Sequence, residues 1–328
     1  MTLNAGEFSL TGTPGGTEGT PYLCCRRTAL DTILVEAAAE AGAEIRQGFT
    51  VTGLVEDDGA VAGVRGHSRD NGRDEVTERA RIVIGADGIH SRVAEAVGAR
   101  QYNELPSQSC YYYSYFSGTR DIRAAELCPR DGVAVGGCPT NDDTVIGIVA
   151  VQPEIARQFG SDSEAAFWAA FDQAPDFTER LRAGTREERF HTTCDIPGFY
   201  RVPHGPGWAL VGDAGYHKDP IMAQGINDAY RDAEELSAAV HDGLTGARDM
   251  QEALADYHHH RDATVGPIYE LNGQFAALEP PPADMVALLV ALQGNQEQVD
   301  RFLGVFANTV PVPDFFAPDN LESIMTNA

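Results

Sequence analysis

Two short apolar runs in this chain end in the same kind of punctuation. Arg81 to Gly85 (RIVIG) runs into Ala86-Asp87-Gly88, and Trp208 to Val211 runs into Gly212-Asp213-Ala214-Gly215. A compact apolar run suits a strand buried on both faces. A small-residue turn straight after it sets backbone amides and a carboxylate at the strand's carboxyl end, the edge where ligands bind to open α/β sheets. Helical patterns stand near both. Thr28 to Ala41 carries Leu30, Ile33, Leu34, Ala37 and Ala38 on one apolar face and closes at Gly42, and Gln224 to Leu244 forms a second strong helix. Strands and helices alternate, so the class is α/β or α+β.

The remainder divides by texture. Residues 1–21, rich in Gly, Thr and Pro, fit a hairpin or an irregular opening segment. Alternating runs at residues 44–57, 60–68 and 75–86 are separated by Asp58-Gly59 and Asn71-Gly72, which predicts an antiparallel meander. From about residue 101 to 200 the strands YYYSYFSG and TVIGIVAVQP and the helix SEAAFWAAFDQA suggest a second, sheet-based domain. The expected division is 1–100 for one part of the first domain, 101–200 for the inserted sheet domain, 201–275 for the return to the first domain, and 276–328 for a helical tail. Breaks are expected at Pro267 and at Pro280 to Pro282, and PVPDFFAPDN reads as loop.

A net charge of −25 gives phosphate backbones and anionic lipid no electrostatic footing, so nucleic acid and membrane are excluded as expected partners. No run approaches the ~20 apolar residues of a membrane helix, and the start resembles no secretory signal, so the expected location is the cytoplasm. The six cysteines show no C-x-x-C pair, and reduced thiols are expected. Cys24-Cys25 reads as structural because vicinal cysteines rarely bridge without strain. His258-His259-His260 reads as a solvated helix face, since adjacent helical residues point about 100° apart and cannot share a tetrahedral metal site. No metal is expected.

Three ordered segments carry chemistry. Arg26 and Arg27 open the first helix, where the macrodipole disfavours a cation unless it reaches toward an anion. Asp87, in the turn after the first buried strand, can accept from sugar hydroxyls or orient an arginine. Gly212-Asp213 presents a carboxylate beside a backbone that a ligand can approach closely, and Pro220 stiffens the loop that follows. Gly225, Ile226 and Asn227 then offer the unpaired amides of a helix start to an electron-rich group. Tyr111, Tyr113 and Tyr115 share one face of an aromatic strand and either line a pocket or pack across strands.

In their order, Arg27 to Leu30, Gly85 to Arg92 and Gly212 to Asp232 resemble the FAD-dependent monooxygenases of the aromatic-hydroxylase type, in the branch that includes geranylgeranyl-reductase-like oxidoreductases. The resemblance covers residue 20 to the end. It implies a Rossmann-like FAD domain, with an inserted antiparallel-sheet substrate domain and a helical C-terminal region. By the same resemblance Arg27 contacts the FAD diphosphate or ribityl region, and Asp87 lies beside the diphosphate and influences nicotinamide binding. Gly212 and Asp213 hold the ribityl hydroxyls, Pro220 shapes the space before the flavin, and Gly225, Ile226 and Asn227 lie against its ring. The activity implied is NAD(P)H-driven hydroxylation of an aromatic or polycyclic small molecule, or reduction of an alkene. Gly215-Tyr216 delays His217 relative to many hydroxylases, so no role is carried to that histidine.

The family's opening G-x-G-x-x-G turn has no counterpart here. The glycine-rich stretch Gly12 to Gly19 follows no buried strand and precedes Pro21 rather than a helix. The FAD domain is therefore expected to be incomplete, with an exposed sheet edge that favours self-association into a homo-oligomer. A shortened family enzyme is the expected reading, and a flavin-free binding or scaffold protein derived from the fold is the alternative.

Overall fold

The computed structural model describes residues 1–6, 8–14, 23–69 and 74–326. The Asn71-Gly72 turn and most of the glycine-rich stretch lie outside them. The fold is mixed α/β, with a Rossmann-like sheet region, an inserted antiparallel sheet domain and C-terminal helices.

The inserted sheet orders its strands Thr185–Arg186, Cys110–Ser117, Thr144–Val151, Val133–Pro139, Glu126–Arg130, Thr2–Asn4 and Ser9–Thr11, with His191–Thr193 also on Cys110–Ser117. Neighbours run antiparallel except Thr2–Asn4, which joins Glu126–Arg130 in parallel, so the N-terminal hairpin extends this sheet. Alternation along the central strands separates two faces. Tyr112, Phe116, Val135 and Val149 pack beneath Phe167, Phe171, Phe177 and Leu181 of the helices Ser163–Phe171 and Pro175–Arg182. Tyr111, Ala134 and Ala150 face the other way, toward Ile196 and Leu278.

In the Rossmann-like region Trp208–Leu210 pairs in parallel with Val83–Gly85, in the register Trp208 to Val83 and Leu210 to Gly85. The two punctuated runs of the sequence are thus neighbouring strands whose carboxyl ends coincide. Helices Gly225–Thr245 and Met250–Ala276 cover one side through Leu236, Leu254 and Tyr257, while Val61, Val93 and Trp208 fill the other. Among the described residues Val83–Gly85 has a strand on one side only. The meander forms as predicted: Phe49–Asp57, Ala60–Ser68 and Val76–Arg79 pair antiparallel, and Asp58 and Gly59 both take positive φ, 49° and 78°, as a two-residue hairpin turn requires.

Four expectations are corrected. The helix Arg27–Glu40 forms and ends as predicted, with Gly42 at φ 97°, but buries none of its residues, and Ile33 is 61% exposed. On its apolar face Leu30 and Ala38 are half-buried, while Ile33, Leu34 and Ala37 are exposed. Pro267 does not break its helix, which runs from Met250 to Ala276, because burial of Val265, Ile268, Tyr269 and Leu271 around it holds the backbone in place. PVPDFFAPDN is not loop but the helices Val312–Phe315 and Pro318–Thr326, each with proline in its first turn, where the missing N–H costs nothing. Finally, Cys110 and Cys194 are not free thiols but a disulfide. Thr193 pairs with Tyr111, so the next positions outward bring the two cysteines opposite each other, with Cα atoms 4.2 Å apart across 84 residues of sequence.

Candidate functional site

The site grows from the carboxyl end of Trp208–Leu210. Gly212 takes φ 58°, the left-handed region, and a Cβ there would stand 3.3 Å from that of Ala229, so the turn and the close approach of helix Gly225–Thr245 both call for glycine. Asp213 follows. Its tip is exposed but closely surrounded, and this partial desolvation raises its pKa; His217, Arg27 and Lys218 pull it back down, and Asp228 pushes it up. Arg27 therefore stands in the field of Asp213, although its guanidinium is held by Asp31 at 2.7 Å and is otherwise open to solvent.

The chain then passes Lys218 and Asp219, turns through Pro220–Met222, and takes a left-handed step at Ala223 before entering the helix at Gly225. No side chain caps this helix start, and among the described residues the amides of Gly225, Ile226 and Asn227 have no acceptor. All three residues are exposed, and nothing lies within 4 Å of where a Cβ of Gly225 would be. The result is an open surface with three free N–H groups and the positive end of a 21-residue helix dipole.

Buried charge fixes that surface from behind. Lys218, the chain's single lysine, is ion-paired with Asp228 and donates to the Tyr216 hydroxyl at 3.1 Å. Arg231 donates to Asp228 at 3.0 Å and to Asp232 at 2.9 Å. Burial lowers the Lys218 pKa and raises that of Asp232, each countered by its partner's charge. Gln224, also buried, donates to the carbonyls of Val305 and Phe306 and so ties the helix start to the C-terminal helices. Arg201 donates to the carbonyls of Ala214 at 2.8 Å and Ile89 at 3.2 Å, clamping the two motif turns together. Arg261, fully buried, reaches the carbonyls of Gly215 and Arg201 and the hydroxyl of Tyr102.

Asp87 has a different place from the rest. Its carboxylate accepts from the amides of Arg92 at 2.8 Å and Val93 at 3.2 Å, so it caps the helix Arg92–Ala96 together with Ser91. It connects to the site electrostatically, through Arg201.

On the far side of the Pro220–Ala223 loop lies a cleft of about 740 Å³, counting space open to solvent. The sheet supplies Ala134, Gly136, Ile148 and Ala150, the loop supplies Pro220 to Ala223, and Met1, Leu127 and Phe306 close the sides. Its polar atoms are few. The Glu126 carboxylate is taken by Arg180 at 2.6 Å. Tyr111 lines the cleft and donates to the buried Asp219 at 2.5 Å, beside Ser109 and the amide of Ile221. Burial keeps this phenol protonated, its pKa raised well above the ordinary value, and raises that of Asp219 as well. Tyr113 and Tyr115 share Tyr111's face but not the cleft: Tyr113 stacks on His191 at 4.9 Å, and Tyr115 lies 4.2 Å beneath the Arg26 guanidinium.

His258 departs from a solvated face. It is largely buried, 2.8 Å from the Tyr102 hydroxyl and 3.4 Å from Asp262, while His259 and His260 are exposed. Among the described residues no three His, Cys, Asp or Glu side chains are grouped to hold a metal, and no helix is long and apolar enough to cross a membrane.

Residues 10–270 match the family described as FAD binding domain. The chain belongs to that family. Among its relatives, the digeranylgeranylglycerophospholipid reductase of Methanocella arvoryzae is 39% identical over 209 residues, covering 62% of this chain and 50% of that protein. The tryptophan 2-halogenase of Chondromyces crocatus is 25% identical over 243 residues, covering 71% of this chain and 46% of the relative. The chain spans about half the length of the curated relatives it matches. A triple mutant of the flavin-dependent brominase Bmp2 superposes with a TM-score of 0.77 over 99% of this chain and 80% of its own; at 17% identity that is a likeness of fold.

The family implies FAD, and the residues present fit its ring and ribityl end. The three free amides and the space above Gly225 suit an electron-rich ring edge, and the exposed Asp213 beside Gly212 suits hydroxyl groups. Asp219, Arg201 and Arg261 escape a reading of the sequence because they have partners far away along the chain, and Lys218 because its partner Asp228 lies across the Pro220 loop. The one signal for Lys218 is that no other lysine exists.

Proposed function

We propose that this chain is an FAD-dependent oxidoreductase acting on an uncharged, apolar small molecule in the cleft, with NADH or NADPH as reductant. One observation carries the reading: Pro220 to Ala223 form a wall of the apolar cleft and lead within two residues into the three free amides of the helix start. A ring lying on those amides would sit at the mouth of the cleft. When bound, FAD would supply two-electron redox chemistry, passing electrons from the nicotinamide to oxygen or to a double bond. The protein's share is placement. Gly225, Ile226 and Asn227 would orient the ring edge, Asp213 the ribityl hydroxyls, and Arg27, released from Asp31, the diphosphate. Asp87, on this reading, acts chiefly by holding the first motif turn in shape.

Tyr111 keeps its proton directed at Asp219 and leaves its oxygen lone pairs as an acceptor on the cleft wall. Glu126 is paired to Arg180, and no Lys, Arg or His side chain lines the cleft; the one cation there is the Met1 amino group, which donates to the Gly12 carbonyl at 2.9 Å, so a carboxylate or phosphate on the substrate would find little to pair with. Hydroxylation of an aromatic or polycyclic compound is the reading we adopt. Reduction of an alkene is the second, favoured by the reductase relative at 39% identity.

Titration of the purified chain with FAD, followed by flavin fluorescence, tests the cofactor. Saturable binding that Asp213→Ala weakens about tenfold, the loss of one charge-assisted hydrogen bond, supports the reading. No binding by a folded protein would favour a flavin-free scaffold. Product formation from neutral aromatic and polyene compounds, with and without oxygen, then separates hydroxylase from reductase.

A further inference from the structure

The cleft's far end holds a chemistry that flavin binding leaves unused. Cys138, on the strand Val133–Pro139, lines the cleft, and its thiol shares a hydrogen bond with that of Cys24, 114 positions earlier in the chain. Three further contacts dock the same segment at this end of the sheet. The Arg26 amide donates to Asn141 at 2.8 Å, its guanidinium pairs with Glu188, and that guanidinium covers the Tyr115 ring. Tyr115 and Cys138 both flank Ile146 in the sheet register, so the contacts describe a single place.

We propose that Cys24 and Cys138 are an oxidisable dithiol that closes to a second disulfide under hydrogen peroxide, fastening the segment that carries Arg26 and Arg27 onto the wall of the cleft. The Cys24 sulfur attacks one peroxide oxygen, the O–O bond breaks, and the departing hydroxide takes up a proton as water. The Cys138 sulfur then displaces the hydroxyl from the oxidised Cys24 sulfur, and its own proton leaves with that hydroxyl as a second water. Two S–H bonds and one peroxide become one S–S bond and two waters, with two electrons passing from sulfur to oxygen. The hydrogen bond they share lowers the Cys24 pKa and holds the proton on Cys138, whose burial raises its pKa further. Cys128 provides the contrast. It is buried at 2% exposure with its pKa pushed up to about 11, and so stays inert.

Arg27 and the helix it opens are otherwise held loosely, with no buried residue from Arg27 to Glu40. A covalent tie three residues before Arg27 would restrain that helix start without touching the amides at Gly225.

The experiment is non-reducing peptide mapping of the full chain after brief exposure to hydrogen peroxide, with free thiols alkylated beforehand in a parallel sample. A Cys24–Cys138 linked peptide is expected, absent in Cys24→Ser and Cys138→Ser and retained in Cys25→Ser and Cys128→Ser. Circular dichroism of each variant establishes that it folds. Tryptic cleavage after Arg26 and Arg27 is expected to slow in the oxidised wild type and to stay unchanged in Cys138→Ser. A link through Cys25, or no link in a folded protein, overturns the proposal. A link without slower cleavage overturns the fastening. None of these readouts depends on flavin, so they stand apart from the proposed redox activity.

Discussion

Arg261 shows how much of this site rests on side chains that no ligand would touch. Its guanidinium is fully buried and is shared among the carbonyls of Gly215 and Arg201, the hydroxyl of Tyr102 and the carboxylate of Asp262. Replacing it with alanine would take a donor from two buried carbonyls, of which that of Gly215 keeps the Arg201 amide at 2.8 Å, and leave a partly buried carboxylate without its cation. Breaking such a pair from one side costs about 3–5 kcal/mol. Arg261→Ala is therefore expected to be strongly destabilised in urea, and a loss under about 1 kcal/mol would mean water replaces the guanidinium. Gly212→Ala tests a different physics. The left-handed backbone costs a residue with a Cβ about 1–2 kcal/mol, and the methyl would press on Ala229 as well. We expect a stability loss of that order and a shifted turn that weakens FAD binding further than the stability change alone explains. Gly212→Asn, better tolerated at positive φ, should recover part of the stability.

At the scale of elements, the helix Met250–Ala276 carries a pH-dependent contribution through Asp262. Burial would raise this carboxyl, but hydrogen bonds from His258 and Tyr102 and the charge of Arg261 bring its pKa down to about 2 from 3.8. A carboxyl whose pKa is lower in the folded chain stabilises the fold above the unfolded value and loses that contribution as pH falls from about 4 through about 2. The gap in stability between the wild type and Asp262→Asn should thus be full at pH 6, at most about 2 kcal/mol from this effect, and should narrow below pH 4. Unfolding curves at several pH values would check it, and a gap independent of pH would assign the effect to packing. The same helix marks how far elements can be read from sequence. Its periodicity is legible, but Pro267 suggests a break that tertiary burial of Val265 and Ile268 overrides. Local backbone chemistry reads well: Gly42, Asp58-Gly59 and the start at Gly225 are where their residue types place them. Prolines near residue 312 read poorly, because the residue that ends one helix also opens another.

The whole molecule brings together what no local pattern carries. Ordered motifs made the fold class and the shape of two turns legible, since Gly212-Asp213 and Gly225 to Asn227 encode their own geometry. The long-range partners were not: Tyr111 with Asp219 and Cys110 with Cys194 meet only because strands and loops align in space. Net charge is the remaining property of the full chain, and it has a consequence for stability. With 49 acidic against 24 basic side chains, the folded state crowds a net −25 that the unfolded chain spreads apart. Surface pairs such as Arg120–Glu179 and Arg157–Glu154 offset this little, being exposed and worth about 0–1 kcal/mol each. Salt weakens both effects, but the repulsion acts over longer range and is screened first, the Debye length shrinking from about 30 Å at 0.01 M to about 10 Å at 0.1 M. The melting temperature is therefore expected to rise between 10 and 100 mM sodium chloride by about a few degrees, equivalent to ~1 kcal/mol in a chain this size. Calorimetry in sodium and potassium chloride would measure it. Equal rises in both salts identify screening, a rise in one alone identifies a bound cation, and a fall in both would mean that the surface pairs outweigh the repulsion.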